Sequence, residues 1–298
     1  MAETLIHPRR DVVFVWGYNN SGGLGLGHSA RAYLPVPAQL PGGTAGVQGG
    51  GEFTVARTAS GELYAWGGNM FGQLGDGTTK TRLAWARVAL PEDTVISEGE
   101  LLTWGRNGAN QVAAGATEDV TTPAAALLPE GVRAVAVDAG YHHIVVLTGA
   151  GEVLTFGADP RGRPLPSGVT LRHSWGQVRA VRAGDSFTLA LTSRGLLLGW
   201  GANSAGQLGV GDQEDRAAPT VVTFPGSAGT VTDFWAGDHS AASLTSNHEV
   251  YTWGETRFGQ GGTGRTDRPQ TRPARVTALD GAHLTRVHGG ANHVIVTA

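Results

Sequence analysis

Five residue pairs, each set directly behind a glycine, carry the side chains of this chain best suited to chemistry: Gly51–Glu52, Tyr141–His142, Asp185–Ser186, Asp238–His239 and Ala291–Asn292. Around a common mouth, the carboxylates of Glu52, Asp185 and Asp238 would face the imidazoles of His142 and His239, with Tyr141, Ser186 and Asn292 between them. Such a set could move protons as general acid and base, or hold a divalent ion. The same residue types also suit a plain turn, because Asp, Ser and Asn hydrogen-bond their own backbone there. Spacing along the chain does not set the distances between the pairs, so both readings stand at this point.

The rest of the sequence narrows the chemistry. It holds no H-E-x-x-H, no G-x-S-x-G and no G-x-x-x-x-G-K-[ST]. There is no cysteine, which removes disulfides and thiolate metal sites. No metal or cofactor is expected. The formal net charge is −3, and Arg268, Arg272 and Arg275, the nearest approach to a basic patch, read as a solvated loop face. A nucleic-acid partner is therefore not expected. No apolar run is long enough for a membrane helix, and Met1–Arg10 lacks the apolar core of a signal peptide. A cytoplasmic monomer is expected. Lys80 is the single lysine beside many arginines, a bias that points to a GC-rich bacterial genome.

The elements that must position these pairs are repeats. Glycine accounts for 47 of 298 residues without a collagen period, which points to many strands and tight turns. An aromatic-Gly pair recurs at Trp16, Trp66, Trp104, Phe156, Trp200 and Trp253, at intervals of 50, 38, 52, 44 and 53 residues. Three residues on stands Asn19, Asn69, Asn107, Asp159 or Asn203, with Thr256 the exception, and then a glycine-rich stretch, clearest in residues 71–77 and 205–211. Gly50, Gly140, Gly184 and Gly237 each lie sixteen residues before their aromatic. The interval reads as strand, glycine turn and strand, a hairpin locked in register, with insertions confined to loops between the aromatic and the next glycine.

Gly290 opens a last copy that stops after one strand, while Asp11–Trp16 supplies a second strand with no first. Paired, the two ends complete one sixteen-residue unit and close a ring, which removes open sheet edges. Two copies are irregular. Val88 stands where a leading glycine belongs, and about a dozen residues are missing before Trp104, so that blade is expected to lack or rebuild its innermost strand. After Phe156, residues 159–166 replace the glycine-rich stretch.

These landmarks in fixed order resemble the RCC1 (regulator of chromosome condensation) repeat over residues 9–298. The resemblance implies an all-β, closed β-propeller of four-stranded blades. Relatives usually have seven; six are expected here, with seven as the alternative, in one domain of residues 9–298 behind an extension of residues 1–8. It also implies that the pairs behind the glycines form a protein-binding face, as in β-lactamase-inhibiting relatives, which makes a non-enzymatic interaction or inhibitory module the first reading. An enzyme or small-molecule site at the channel mouth is the second. By the same resemblance, His143 and His293 make structural hydrogen bonds within their blades, and the motif tryptophans are core. Trp85, Trp175 and Trp235 lie off the motif, where a surface anchor competes with packing.

Overall fold

A computed structural model describes residues 12–17, 19–50, 52–90, 100–112, 116, 118–158, 173–264, 266–290 and 293–297. The chain divides into two compact units, one built mainly from residues 1–97 and 101–127 and the other mainly from 128–298. In the first, β1 (Val12–Gly17) pairs with β2 (Ala32–Gln39); β3 (Thr44–Gly49), β4 (Phe53–Thr58), β5 (Leu63–Gly67) and β6 (Arg82–Arg87) form a four-stranded antiparallel sheet; and β7 (Leu102–Gly105) pairs with β8 (Val120–Ala125). In the second, β9 (Ala134–Ala139), β10 (His143–Thr148) and β11 (Val153–Gly157) form a sheet. Two four-stranded sheets follow: β12 (Val178–Ala183), β13 (Phe187–Thr192), β14 (Leu197–Gly201) and β15 (Arg216–Val221), then β16 (Val231–Ala236), β17 (Ser240–Thr245), β18 (Val250–Gly254) and β19 (Gln270–Arg275). Last, β20 (Arg286–Gly290) pairs with β21 (His293–Thr297).

The sixteen-residue hairpins are the middle pair of each blade, β4–β5, β10–β11, β13–β14 and β17–β18. The stretch between the aromatic and the next glycine, where insertions fall in loops, also holds the two further strands of the four-stranded blades that the resemblance implied. Sixteen residues behind the aromatic, beyond the glycine-rich loop, begins an outer strand such as β6 or β15, and directly before the next glycine runs an inner strand such as β9 or β12. The short copy shows β7 and β8, while residues 91–99, where its earlier strand was in question, lie outside the described residues, as do residues 159–166 of the other irregular copy. The two-stranded sheets β1–β2 and β20–β21 lie near the two chain ends; Asp11 and Ala298 are outside the described residues, and the joining of the ends into one unit stays an expectation.

Blades are packed through the repeat's glycines. The Trp66, Trp104 and Trp253 indole N–H groups donate to the carbonyls of Gly23, Gln73 and Gln207 in the glycine-rich loop before them, at 2.9, 3.0 and 2.8 Å. Gly25, Gly75 and Gly209 lie under those indoles, where a Cβ would fall within 2.7–2.9 Å of Nε1. The buried Asn69 and Asn203 side chains shape the same loops, accepting from the Leu74 and Leu208 amides at 2.9 Å. Opposite each motif tryptophan the outer strand bulges by three residues: Leu83–Trp85 across from Trp66, Thr121–Pro123 across from Trp104, Ala217–Pro219 across from Trp200 and Thr271–Pro273 across from Trp253. The first bulge carbonyl receives the preceding loop, Gly27 to Leu83, Gly77 to Thr121 and Gly211 to Thr271. Trp235 is buried core, Trp175 packs partly buried against the β10–β14 core, and Trp85 is 44% exposed.

Gly201 combines a φ of +104° with a Cβ position 2.6 Å from the Ser186 carbonyl oxygen, whereas Gly27, at +76°, has open space around it. Gly201→Ala is expected to cost about 3 kcal/mol, backbone strain plus overlap, and Gly27→Ala about 1 kcal/mol. Urea unfolding of the two variants measures the difference.

Candidate functional site

Among the described residues, the pairs behind Gly140, Gly184 and Gly237 are the two central residues of tight turns between the inner strand and the next, and Glu52 stands at the corresponding place behind Gly50. Gly50, Gly140, Gly184 and Gly237 donate to the carbonyl three residues on, at 2.7, 2.9, 2.8 and 2.8 Å. Glycine is needed for space and not for backbone angle: on Gly50 and Gly184 a Cβ would overlap the Phe53 and Phe187 rings, and on Gly140 it would overlap the Gly184 carbonyl oxygen. In the four described cases the second residue is pinned as well. The carbonyls of Glu52, His142, Ser186 and His239 accept from the amides of Gly68, Ala158, Ala202 and Glu255, at 2.9, 3.1, 2.9 and 2.9 Å. The aromatic-Gly motif thus holds the turn that carries the candidate residues.

Within the second unit the turns of three successive sheets are hydrogen-bonded to one another. The Tyr141 and His142 amides donate to the Asp185 carbonyl at 3.1 and 3.3 Å, and the Asp185 amide donates to the Asp238 carbonyl at 3.2 Å. This backbone belt brings Tyr141, His142, Asp185, Ser186, Asp238 and His239 into one row. Tyr141 and His239 are exposed, His142, Asp185 and Asp238 are half-buried, and Ser186 is buried, its hydroxyl 3.3 Å from Asp185 Oδ2. The Tyr141 ring stands edge-on to His142 at 4.8 Å. Burial and then the neighbouring Asp185 charge push the Asp238 carboxyl above its ordinary range, with His239 opposing.

Glu52 belongs to the first unit, where Ser21 Oγ donates to Oε2 at 2.7 Å. It lines a cleft of about 120 Å3 with Asn19, Ser21, Leu24, Phe53 and Thr54. Small-molecule pockets run to roughly 300–1,000 Å3, so this cleft is too small for most substrates. Asn292 lies outside the described residues. Among the described residues there is no group of three or more His, Asp or Glu side chains arranged to hold a metal ion.

His143 corrects one expectation. Its Nε2 pairs with Thr188 Oγ1 at 3.0 Å, on β13, so it ties two blades together and does not serve its own blade alone. Burial pushes this imidazole down to about 4, the Asp185 backbone carbonyl opposing and the His142 charge adding to the fall. His293 lies on β21, and its side chain is not described. Two aspartates missed in the sequence also join blades. Asp138 Oδ2 accepts from the Ala183 amide at 2.9 Å, and Asp233 Oδ2 from the Val287 amide at 3.0 Å, with Arg286 Nε 3.2 Å away. Each caps an inner-strand N–H of the following blade; the signal available was an acidic residue two or four positions before a leading glycine.

The model of the regulator of chromosome condensation (RCC1) repeat matches residues 11–57, 60–94, 98–147, 194–244 and 247–297, well over half of the chain, and a second RCC1 repeat model matches 45–73 and 178–207. The chain belongs to the RCC1 repeat family. The irregular stretch behind Phe156 is where these matches break. The chain is 29% identical over 279 residues to the ultraviolet-B receptor UVR8 of Arabidopsis thaliana, covering 90% of this chain and 54% of UVR8. It is 27% identical over 290 residues to the human E3 ubiquitin-protein ligase HERC2, covering 94% of this chain and 5% of HERC2. It thus spans about half of one relative and a small part of the other. Among solved structures, human WBSCR16 superposes with a TM-score of 0.81 at 20% identity, over 96% of this chain and 81% of that one. Yeast RCC1 (Prp20), in a structure with Kap60 bound, gives 0.78 at 20% identity over 97% and 76%. The fold is an all-β propeller of RCC1 repeats. Prp20 is described as binding Kap60 in one structure, and its binding properties to Gsp1p and histones are the subject of another.

The depressed His143 value has a consequence for stability. The unfolded chain takes up a proton near pH 6.5 while the folded chain resists until about pH 4, so stability is present above 6.5 and is lost as the pH falls between those values. The loss attributable to this side chain is about 3 kcal/mol. Chemical denaturation from pH 7 to 4 is expected to show a shallower fall in His143→Gln than in the wild type.

Proposed function

We propose that this RCC1 repeat chain is a non-enzymatic protein-binding module, and that the turn row Tyr141, His142, Asp185, Ser186, Asp238 and His239 is part of its binding face. The observation that carries the reading is the backbone belt. Because amides and carbonyls link the turns, their side chains are held in fixed register. Preorganisation of that kind lowers the entropy lost on association. Tyr141 offers a rigid, 59% exposed ring, and the paired carboxylates favour a partner surface rich in Lys or Arg. Prp20, with its protein partners, is a structural precedent for the class of activity and not for the identity of the partner. In this reading residues 9–298 act as one cytoplasmic, monomeric domain, with Glu52 and Asn292 as further binding residues and no nucleic acid, membrane or cofactor involved. Among the described residues, no helix is long and apolar enough to cross a membrane.

Affinity capture followed by titration of the recovered partner tests this. Tyr141→Ala is expected to weaken the complex about tenfold, as truncating an aromatic anchor commonly does. Asp185→Arg with Asp238→Arg is expected to slow association and to reverse its dependence on salt. Equal affinity for wild type and both variants, all with unchanged unfolding midpoints, would move the interface elsewhere.

A further inference from the structure

The outer strands are the exposed edges of the blades, and they share one device. The third residue of the bulge is proline at positions 35, 123, 219 and 273. Three residues on, the Ala126, Val222 and Val276 amides donate inward to Leu101, Leu197 and Val250. Alternation along a strand turns the residue three back outward, away from the sheet. The prolines therefore stand where an outward N–H would otherwise be offered to an added strand, and proline on an edge blocks such pairing.

The sheet β3–β6 departs from this. Val88 donates inward to Leu63 at 2.9 Å, as in the other copies, but the residue three back is Trp85. Four copies form the same bulge with a residue that has no N–H, so the blade does not need a donor there. Trp85 supplies one, together with a 44% exposed indole held edge-on by Tyr64 at 5.3 Å and the exposed Leu83 beside it. The charge of this edge is one-sided. Residues 79–89 carry Lys80, Arg82 and Arg87 and no carboxylate. Arg82 is held by Asp76 at 2.7 Å, but the Arg87–Glu62 pair, at 3.3 Å, is largely exposed and contributes little.

We propose that the β6 edge is a second binding surface, distinct from the turn row, which takes an extended acidic peptide segment of a partner protein as an added antiparallel strand. Main-chain pairing with the outward groups of Trp85 and Arg87 supplies the register, Trp85 and Leu83 pack an apolar side chain, and Lys80 and Arg87 meet carboxylates. A second copy of this chain is disfavoured as occupant, because edge-to-edge pairing would set Arg and Lys against Arg and Lys.

The test uses the full chain and fluorescein-labelled peptides alternating acidic and β-branched residues, Asp-Val-Glu-Val-Asp-Val being the first, with lysine counterparts as controls, read by fluorescence anisotropy. The wild type is expected to bind the acidic peptide, with affinity falling as salt rises, and not its lysine counterpart. Trp85→Pro, which installs what the other copies carry, is expected to weaken binding at least tenfold with an unchanged unfolding midpoint. Trp85→Ala, which keeps the N–H, is expected to lose less than Trp85→Pro, and Arg87→Glu to lose about tenfold. The proposal is overturned by no binding at millimolar peptide, by equal binding of acidic and lysine peptides, or by Trp85→Pro binding as well as wild type. Concentration-dependent dimerisation in sedimentation that Trp85→Pro abolishes would overturn the assigned occupant.

Discussion

The contact on which the rest depends is an indole laid over a glycine of the preceding loop, its N–H donating to the carbonyl two residues before that glycine. A buried Trp N–H needs a partner, and a neutral hydrogen bond of this kind contributes roughly 1 kcal/mol while a missing one costs more. Only a loop without a side chain at that point can bring its carbonyl so near. The glycine after the aromatic completes the arrangement from the other side. At Gly67, Gly157, Gly201 and Gly254 a Cβ would meet the carbonyl of the turn's second residue, the same carbonyl that accepts from the residue behind the glycine. One short motif thus fixes both the packing between blades and the turn that displays the candidate residues.

That coupling explains why the functional side chains can vary. The turn is closed by backbone bonds, by glycine spacing and, behind Gly50, Gly140 and Gly184, by the ring or imidazole at its fourth position, so its two central residues can differ in type. Glu52, His142, Asp185 and His239 differ in charge and size on the same support. Ser186 is the exception, buried and turned toward Asp185. The belt from Tyr141 to Asp238 adds a rigid spacing between turns. Within it burial, and then the neighbouring Asp185 charge, raise the Asp238 carboxyl.

The middle hairpins were legible because two landmarks a constant sixteen residues apart leave no room for another register. The outer and inner strands were not, for two physical reasons. Segments such as Thr121–Ala125 and Arg216–Val221 are rich in Pro and Ala and interrupted by a bulge, so alternation fails. Inner strands such as Ala134–Ala139 follow insertions of variable length. The turn residues were found by position, but the bonds joining them were invisible, since they run between backbones of separate blades. His143 looked like a blade-internal histidine for the same reason: Thr188 is 45 residues away and has no marker of its own. Trp85 stood out only as a tryptophan off the motif; its meaning comes from the prolines that share its place.

The central claim is that a rigid belt of main-chain bonds presents these turns to a partner. Amide hydrogen exchange, resolved to single residues, tests it most directly. The account predicts that the Tyr141, His142 and Asp185 amides exchange far more slowly than those of ordinary exposed turns, and slow further when the captured partner is bound. Exchange of these three amides at the rate of an open turn, or no change on partner binding, would contradict it.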